Sequence, residues 1–319
     1  MSDPTLVGVT SRSFSRHPVL RAELLERYSN VRFNDEGRTL AGDELVAFLQ
    51  GCVKAITALE RIDEPVLSHL PDLELISKVG VGIDMIDLDA LERHQVRLSW
   101  SRGTNSRSVA ELVIAFAISL LRHVVAANRE VRDGVWRQQS GNTLSDRTVG
   151  LIGFGSVARD VGRLLQPFGC TVLCTDTCDV SEHCVELGVT PVGLEQLLRR
   201  SDVVSLHLDL NDSSRNILDA ERLSLLRPGA ILINTSRGQL VDEAALKDML
   251  TSGRLAGAGF DVFASEPPDD RELLELPNFL ATPHIGGSTE EAILAMGRAA
   301  IAGLEADGPS RAPSRSRHL

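Results

Sequence analysis

Short apolar runs alternate along this chain with stretches in which apolar positions recur every three or four residues. Residues 5–10 are β-rich, and helical patterns follow at about 18–28 and 42–50. The run Ala55-Ile56-Thr57-Ala58 comes next, and Glu64-Pro65-Val66-Leu67 reads as a helix start. A further run, Leu75-Ile76-Ser77-Lys78, leads into Val79-Gly80-Val81-Gly82-Ile83-Asp84. The longest helical pattern, about 106–122, is apolar on most faces, and a more polar segment spans 126–146. In the second half, strands are expected at 148–152, 171–175, 202–207, 230–234, 257–262 and 280–282, and helices at 156–168 and 194–200. Short strands alternating with helices imply parallel βαβ units. The predicted class is therefore α/β, with two doubly wound parallel sheets.

The stretch 148–176 is the most informative. A strand, Thr148-Val149-Gly150-Leu151-Ile152, runs into Gly153-Phe154-Gly155, then a helix, then a second strand that stops at Asp176. Gly153 permits the tight turn, Gly155 lets a pyrophosphate approach the backbone, and the free N–H groups and positive end of the helix attract the anion. An acidic residue about 20 residues on accepts hydrogen bonds from the ribose hydroxyls. Asp176 stands there, and its charge favours NAD over NADP. Ala158 replaces the third glycine, a single methyl at the point where helix and strand pack. The plain alternative is an ordinary strand-to-helix turn. For Gly80 and Gly82, close approach of a ligand and a simple loop stand as equals.

Composition narrows the classes. With 319 residues, 43% of them hydrophobic, the chain is long enough for about two domains. A net charge of −11 argues against a general nucleic-acid binder. The start, Met1-Ser2-Asp3-Pro4, lacks the pattern of a signal peptide, and the longest apolar run, around 112–121, is too short for a bilayer. A cytoplasmic protein with no membrane partner is expected. Five cysteines (52, 170, 174, 178 and 184) do not suggest a disulfide framework, and the C-x3-C-x3-C-x5-C spacing of the last four does not match zinc sites. They read as small buried residues, and no metal is expected. Trp136, among charged residues, reads either as an interface anchor or as a local packing residue. Residues 307–319, rich in Pro, Ser and Arg, read as a disordered tail.

In open parallel sheets, ligands lie outside the carboxyl ends of the strands. Three chemically apt residues follow strands of the second half: Arg237 in Thr235-Ser236-Arg237-Gly238, Glu266 in Phe263-Ala264-Ser265-Glu266-Pro267, and His284 in Pro283-His284-Ile285-Gly286-Gly287. Histidine exchanges a proton near neutrality, and a glutamate beside it favours the imidazolium. Arginine offers a planar fork to a carboxylate. With a nicotinamide, this set suffices to reduce a 2-keto acid. Each residue alone would be unremarkable.

Gly153-Phe154-Gly155 with Asp176, Asn234-Thr235-Ser236-Arg237-Gly238, Asp261-Val262-Phe263 with Glu266-Pro267, and Pro283-His284-Ile285-Gly286-Gly287 together resemble the D-isomer-specific 2-hydroxyacid dehydrogenase family. Residues 105–111, Asn-Ser-Arg-Ser-Val-Ala-Glu, resemble phosphoglycerate dehydrogenases in particular. The likeness runs from about Val79 to Gly297. It implies a Rossmann-like NAD-binding domain, 102–286, inserted into a discontinuous, flavodoxin-like substrate domain, 1–101 with 287–306, to which the C-terminal helix returns. It also implies His284 as acid/base, Glu266 as its partner, and Arg237 as binder of the substrate carboxylate and carbonyl. Backbone amides at Val81 and Gly82 would hold the same carboxylate. Ser156 and Val157 would meet the pyrophosphate, Asp176 the ribose, and Thr235 and Asp261 the nicotinamide half, with Ser236, His284, Gly286 and Gly287 among the cofactor contacts. A homodimer through the cofactor domain is a family expectation, and serine feedback through a regulatory domain like that of longer phosphoglycerate dehydrogenases is not expected.

Several positions depart from the pattern. Met85 replaces a common asparagine, Arg102 stands where many members have proline, and Asp209 replaces the proline after His207. Arg102, Asn105 and Arg107 could select a phosphorylated or phosphonate-bearing acid, or be solvated or paired with acids. Within the same family, an NAD(H)-sensing scaffold without turnover and a phosphite dehydrogenase remain alternatives.

Overall fold

The computed structural model describes residues 2–305; the stretch expected as a tail, 307–319, lies outside the described residues. Among these, the chain divides into two compact units, residues 2–105 with 287–305, and residues 106–286. The division falls between Asn105 and Ser106, beyond the boundary expected at 101/102. Residues 102–105 form a turn, and helical hydrogen bonding begins only at Ser106.

The first unit is a parallel sheet of five strands, β1 (Asp3–Val9), β2 (Tyr28–Phe33), β3 (Lys54–Thr57), β4 (Leu75–Lys78) and β5 (Arg97–Ser99), in the order β2-β1-β3-β4-β5. Its central strands carry apolar residues on both faces, as sheets covered on two sides require. Ala55 and Ile76 pack with Leu45, Leu67 and Leu91 on one face. Ile56 and Leu75 pack on the other face with Met296 and Ala300 of the helix Glu290–Gly303, so the C-terminal helix does return to this sheet. The Ser77 hydroxyl donates to the Ala300 carbonyl at 2.7 Å.

The second unit holds seven parallel strands: β6 (Thr148–Ile152), β7 (Thr171–Thr175), β8 (Thr190–Pro191), β9 (Val203–Leu206), β10 (Ile231–Asn234), β11 (Gly257–Phe260) and β12 (Phe279–Ala281). Their order is β12-β11-β10-β9-β6-β7-β8; all run parallel, and the chain switches from building one side of the sheet to building the other between β6 and β9. Carboxyl ends at such a switch border the crevice where open α/β sheets bind ligands. The helix Ser106–Leu121 lays Val113, Phe116 and Ala117 over Leu151 and Ile233. A side chain at Gly259 would come within 3.0 Å of Phe116, so that glycine sets how close helix and sheet lie. The opposite face is closed by Leu206, Leu232, Phe260, Leu246 and Leu250.

The helix expected over 156–168 ends at Leu165 and tightens into a single 3-10 turn, Gln166–Phe168, because Pro167 has no N–H to continue the ladder. Cys52, Cys174 and Cys184 are buried and Cys170 half-buried, but Cys178 is exposed on the loop after β7, contrary to the reading of these cysteines as buried. Among the described residues, no single helix is long and apolar enough to cross a membrane.

Candidate active site

The site of the second unit starts at the end of β6. Gly153 has φ +85°, and a Cβ there would lie 2.7 Å from the His207 carbonyl oxygen, so only glycine makes this turn. Gly155 is the reverse case: nothing lies within 4 Å of a Cβ built on it, which leaves its backbone open to a ligand. The helix Ser156–Leu165 begins there with no side-chain cap and no acidic residue in its first turn. Its first amides are thus oriented toward an anion with no internal acceptor competing from a cap. Ala158, at the third glycine position, is fully buried with Leu151 and Val161, so the methyl is accommodated.

Asp176 reaches back across the turn. One carboxylate oxygen accepts from the Phe154 N–H at 2.6 Å and the other from the Cys178 N–H at 2.9 Å. The carboxylate is thereby fixed at the tip of β7, where a ribose would sit. Two buried atoms nearby lack partners among the described residues: Thr235 Oγ1, just past β10, and His207 Nε2, just past β9. Burial pushes the His207 pKa down to about 3, so this imidazole stays neutral. Orphaned polar atoms, an open glycine and an uncapped helix start together fit a dinucleotide.

The loop after β10 is shaped by Asn234, which is fully buried; its side chain accepts from the Ser236 N–H at 3.1 Å and donates to the Arg237 carbonyl at 2.9 Å. The Ser236 hydroxyl donates to the Leu208 carbonyl, tying the ends of β9 and β10 together. Gly238 follows with no room for a side chain: a Cβ would fall 1.9 Å from the carbonyl carbon of Phe263. That contact seats Arg237 against the loop carrying Glu266.

His284 and Glu266 meet directly, Nδ1 to Oε2 at 2.8 Å, while Glu266 Oε1 accepts from the Phe263 N–H at 3.1 Å. Each side chain is 39% exposed, so the pair faces solvent without being fully hydrated. The hydrogen bond that His284 donates to Glu266 raises the His284 pKa above its ordinary value; burial opposes this, the charges of Glu266 and Asp261 add to it, and Arg237 works against it. For Glu266, burial pushes upward, but the His284 hydrogen bond and charge, the Phe263 amide and Arg237 outweigh it and the pKa falls. Arg237 therefore acts electrostatically on both members, and the structure brings these three side chains into one cluster.

Asp261, expected at the nicotinamide half, is 1% exposed and accepts from the Ile285 and Gly286 N–H groups, each at 2.7 Å, and from the Thr282 hydroxyl. Its inward turn follows from lying one residue past the buried strand β11, with a turn folded over it. Arg107, raised with Arg102 and Asn105 as a phosphate selector, donates to Asp160 at 3.0 Å and so joins two helices.

In the first unit, Val81 and Gly82 lie in the loop after β4, where the Trp100 indole N–H donates to the Val81 carbonyl at 2.7 Å. The Arg102 guanidinium stacks over the Trp100 ring at 4.8 Å. Asn105 Oδ1 is buried without a partner, and Gly287 lies close to its amide. Met85 is half-buried and packs against the core cluster of the first unit, which accounts for the apolar residue there. Sequence reasoning missed Lys78, which is 4% exposed at the end of β4 with its ammonium donating to the Val79 carbonyl. A lysine ending an apolar strand just before a glycine loop was the available signal.

Residues 114–286 match the profile described as the D-isomer specific 2-hydroxyacid dehydrogenase, NAD binding domain. A hydroxypyruvate reductase from Thermotoga maritima is 34% identical over 259 residues, covering 79% of this chain and 84% of that relative. A D-3-phosphoglycerate dehydrogenase from Mycobacterium bovis is 36% identical over 72% of this chain, but the match spans only 44% of that longer relative. Among solved structures, a D-isomer specific 2-hydroxyacid dehydrogenase from Polaromonas sp. JS6 66 superposes with a TM-score of 0.87 at 30% identity, covering 94% of this chain and 95% of that one.

Proposed function

From the premise that the chain belongs to the D-isomer-specific 2-hydroxyacid dehydrogenases, we propose that it interconverts a small 2-keto acid and its D-2-hydroxy acid with NAD(H). The observation that carries this reading is the 2.8 Å contact between His284 Nδ1 and Glu266, with Arg237 close enough to act on both. With Nδ1 engaged, Nε2 is the end of the ring that delivers a proton to the carbonyl oxygen. Glu266 keeps the ring protonated and in one orientation. Arg237 receives the substrate carboxylate in its fork and polarises the adjacent carbonyl. NADH, when held here, would supply the hydride; Gly153, Gly155, Ser156 and Val157 would hold its pyrophosphate, Asp176 the ribose, and Thr235 and Ser236 the nicotinamide half. In the first unit, Val81 and Gly82 are the amides proposed for an anionic group.

The phosphate-selective version of this reading is left with Arg102 and Asn105, because Arg107 pairs with Asp160. Comparing 3-phosphohydroxypyruvate with hydroxypyruvate and glyoxylate tests it; equal efficiencies remove it. The main reading is tested by His284→Ala, which should abolish most 2-keto acid reduction while NADH affinity changes little. NADH binding with no turnover of any 2-keto acid by the unaltered protein would favour a sensing scaffold.

A homodimer through the second unit is part of the proposal. The helix Val124–Arg132 buries none of its residues within the chain, and Val124, Val125, Val131 and Trp136 are 48, 51, 52 and 85% exposed. Exposed large apolar side chains gathered in one segment are a feature of protein interfaces. Sedimentation of Trp136→Glu should show loss of the dimer. The cytoplasm suits the thiols of Cys174 and Cys184, unbonded at 3.4 Å.

A further inference from the structure

Two side chains from the ends of neighbouring strands reach into the loop that follows β4. Lys78 closes β4, Trp100 is the first residue beyond β5, and the two strands lie side by side. The Lys78 ammonium donates to the Val79 carbonyl at 2.8 Å, and the Trp100 indole N–H donates to the Val81 carbonyl at 2.7 Å. The Trp100 ring is half-buried, and the Arg102 guanidinium lies over it at 4.8 Å, a cation on an aromatic face that restrains the ring.

The peptide that Trp100 holds has little else to fix it. Val81 stands between two glycines, and Gly80 has φ +100°, a backbone that only glycine takes up freely. Such flanks let the Val81–Gly82 peptide turn over at small cost. This peptide is trans, so its carbonyl and the Gly82 N–H point in opposite directions. A hydrogen bond that fixes the Val81 oxygen therefore fixes the Gly82 N–H as well, on the side away from the indole. Turned over, the same peptide would offer an anion a carbonyl oxygen, and attraction would become repulsion.

We propose that Trp100 is a positioning residue for substrate binding: its indole N–H holds the Val81 carbonyl so that the Gly82 N–H faces the carboxylate of the 2-keto acid. This rests on the reading of the Val81 and Gly82 amides as holders of an anionic group. Trp100 acts through the peptide and does not itself touch the substrate. Every 2-keto acid carries the carboxylate, so the effect falls on affinity for the whole class and not on the choice among side chains. The residues proposed for NADH, from Gly153 to Ser236, lie in the second unit, so cofactor binding is outside its reach.

Trp100→Phe removes the N–H and keeps a ring beneath Arg102. With the amide correctly turned in about a tenth of the molecules, the 2-keto acid KM should rise about tenfold. The rise should be shared by glyoxylate, pyruvate and hydroxypyruvate while kcat and NADH affinity hold, the pattern of an interaction common to ground state and transition state. An unchanged KM overturns the inference. So does a rise for one substrate alone, which would make the ring a wall of the pocket, and so does a matching fall in kcat or NADH affinity, which would make the residue structural only.

Should Trp100→Phe not fold, the unaltered protein decides. Indole, peptide and carboxylate would form hydrogen bonds in series, each polarising the next. Adding oxamate, an isostere of pyruvate, to the NADH-loaded protein should therefore move the Trp100 indole proton resonance downfield and slow its exchange with water. The one other tryptophan, Trp136, is 85% exposed and serves as the internal reference. A Trp100 signal that oxamate leaves unchanged overturns the inference. Gly82→Pro, measured in parallel, separates the two levels, because it deletes the N–H itself at a residue whose φ is not positive. A wild-type KM in Gly82→Pro defeats the amide reading and the inference together, whereas a raised KM there beside a normal Trp100→Phe defeats only the role of Trp100.

Discussion

Gly238→Ala is the sharpest structural test of the cluster, because the added methyl is the whole perturbation. Its carbon would lie 1.9 Å from the Phe263 carbonyl carbon, 2.1 Å from the Ala264 nitrogen and 2.3 Å from the Phe263 oxygen. All three are backbone atoms, so no side chain can rotate away. Ordinary contact begins at 3.4 Å, and the two loops must therefore part by about 1.5 Å. Arg237 precedes this glycine and Glu266 follows Phe263, so the separation opens between the guanidinium and the Glu266–His284 pair. Overpacking of this kind costs about 1–3 kcal/mol. In a unit of this size that corresponds to a Tm lower by about 2–4 °C for each kcal/mol. The catalytic effect should be larger, about a hundredfold in kcat/KM for a displacement above 1 Å. Steady-state kinetics beside a thermal melt read both quantities, and fluorescence titration should show NADH binding largely intact. Wild-type kcat/KM in a folded Gly238→Ala protein would refute the claim that this contact aligns Arg237 with its neighbours.

Other consequences follow from the same geometry. Glu266 raises the His284 pKa, so reductive activity, which needs the imidazolium, is present at low pH and lost as pH rises through that raised value; Glu266→Gln should move the decline to lower pH, read from kcat/KM profiles. Gly155→Ala meets no atom within 4 Å and keeps φ −75°, so Tm should hold while NADH affinity falls about tenfold or more, by titration. Asp176→Ser should weaken NADH by about 1.5–3 kcal/mol and narrow its preference over NADPH, in paired titrations. Arg237→Lys should raise the 2-keto acid KM more than it lowers kcat, since an ammonium cannot reproduce the fork.

The parts legible in the sequence were those in which one residue type has one physical use. Gly153 and Gly155 differ in their surroundings, yet both are glycines at the end of an apolar strand, and Asp176 closes the next strand. The central strands read clearly because burial on two faces makes them continuously apolar. Three of the four edge strands did not. β2, Tyr-Ser-Asn-Val-Arg-Phe, is polar at alternate and adjacent positions, and β5 and β8 have three and two residues, so neither periodicity nor length marks them. Met85, which reads from the chain as a departure in the site, is half-buried and packs against the core of the first unit.

The internal hydrogen bonds of Asp261 show what a motif leaves open. A motif fixes that a carboxylate stands one residue beyond a strand, but not which way it faces. Direction is decided by competition between donors, and here Thr282, Ile285 and Gly286 reach the carboxylate from within the chain. Those donors sit more than 20 residues downstream, in a segment whose sequence, Thr-Pro-His-Ile-Gly-Gly, draws attention to its histidine. Arg107 is the same case with the sign reversed: a cation singled out for an external anion finds Asp160 on a neighbouring helix. For both residues the nearer partner is intramolecular, and its loop or helix is held in place by burial elsewhere, by Gly286 against Val109 and by Ala110 and Val161 in the shared core. Charged residues near a strand end therefore divide into those that meet a ligand and those that hold the ligand-meeting residues still, and packing decides between them.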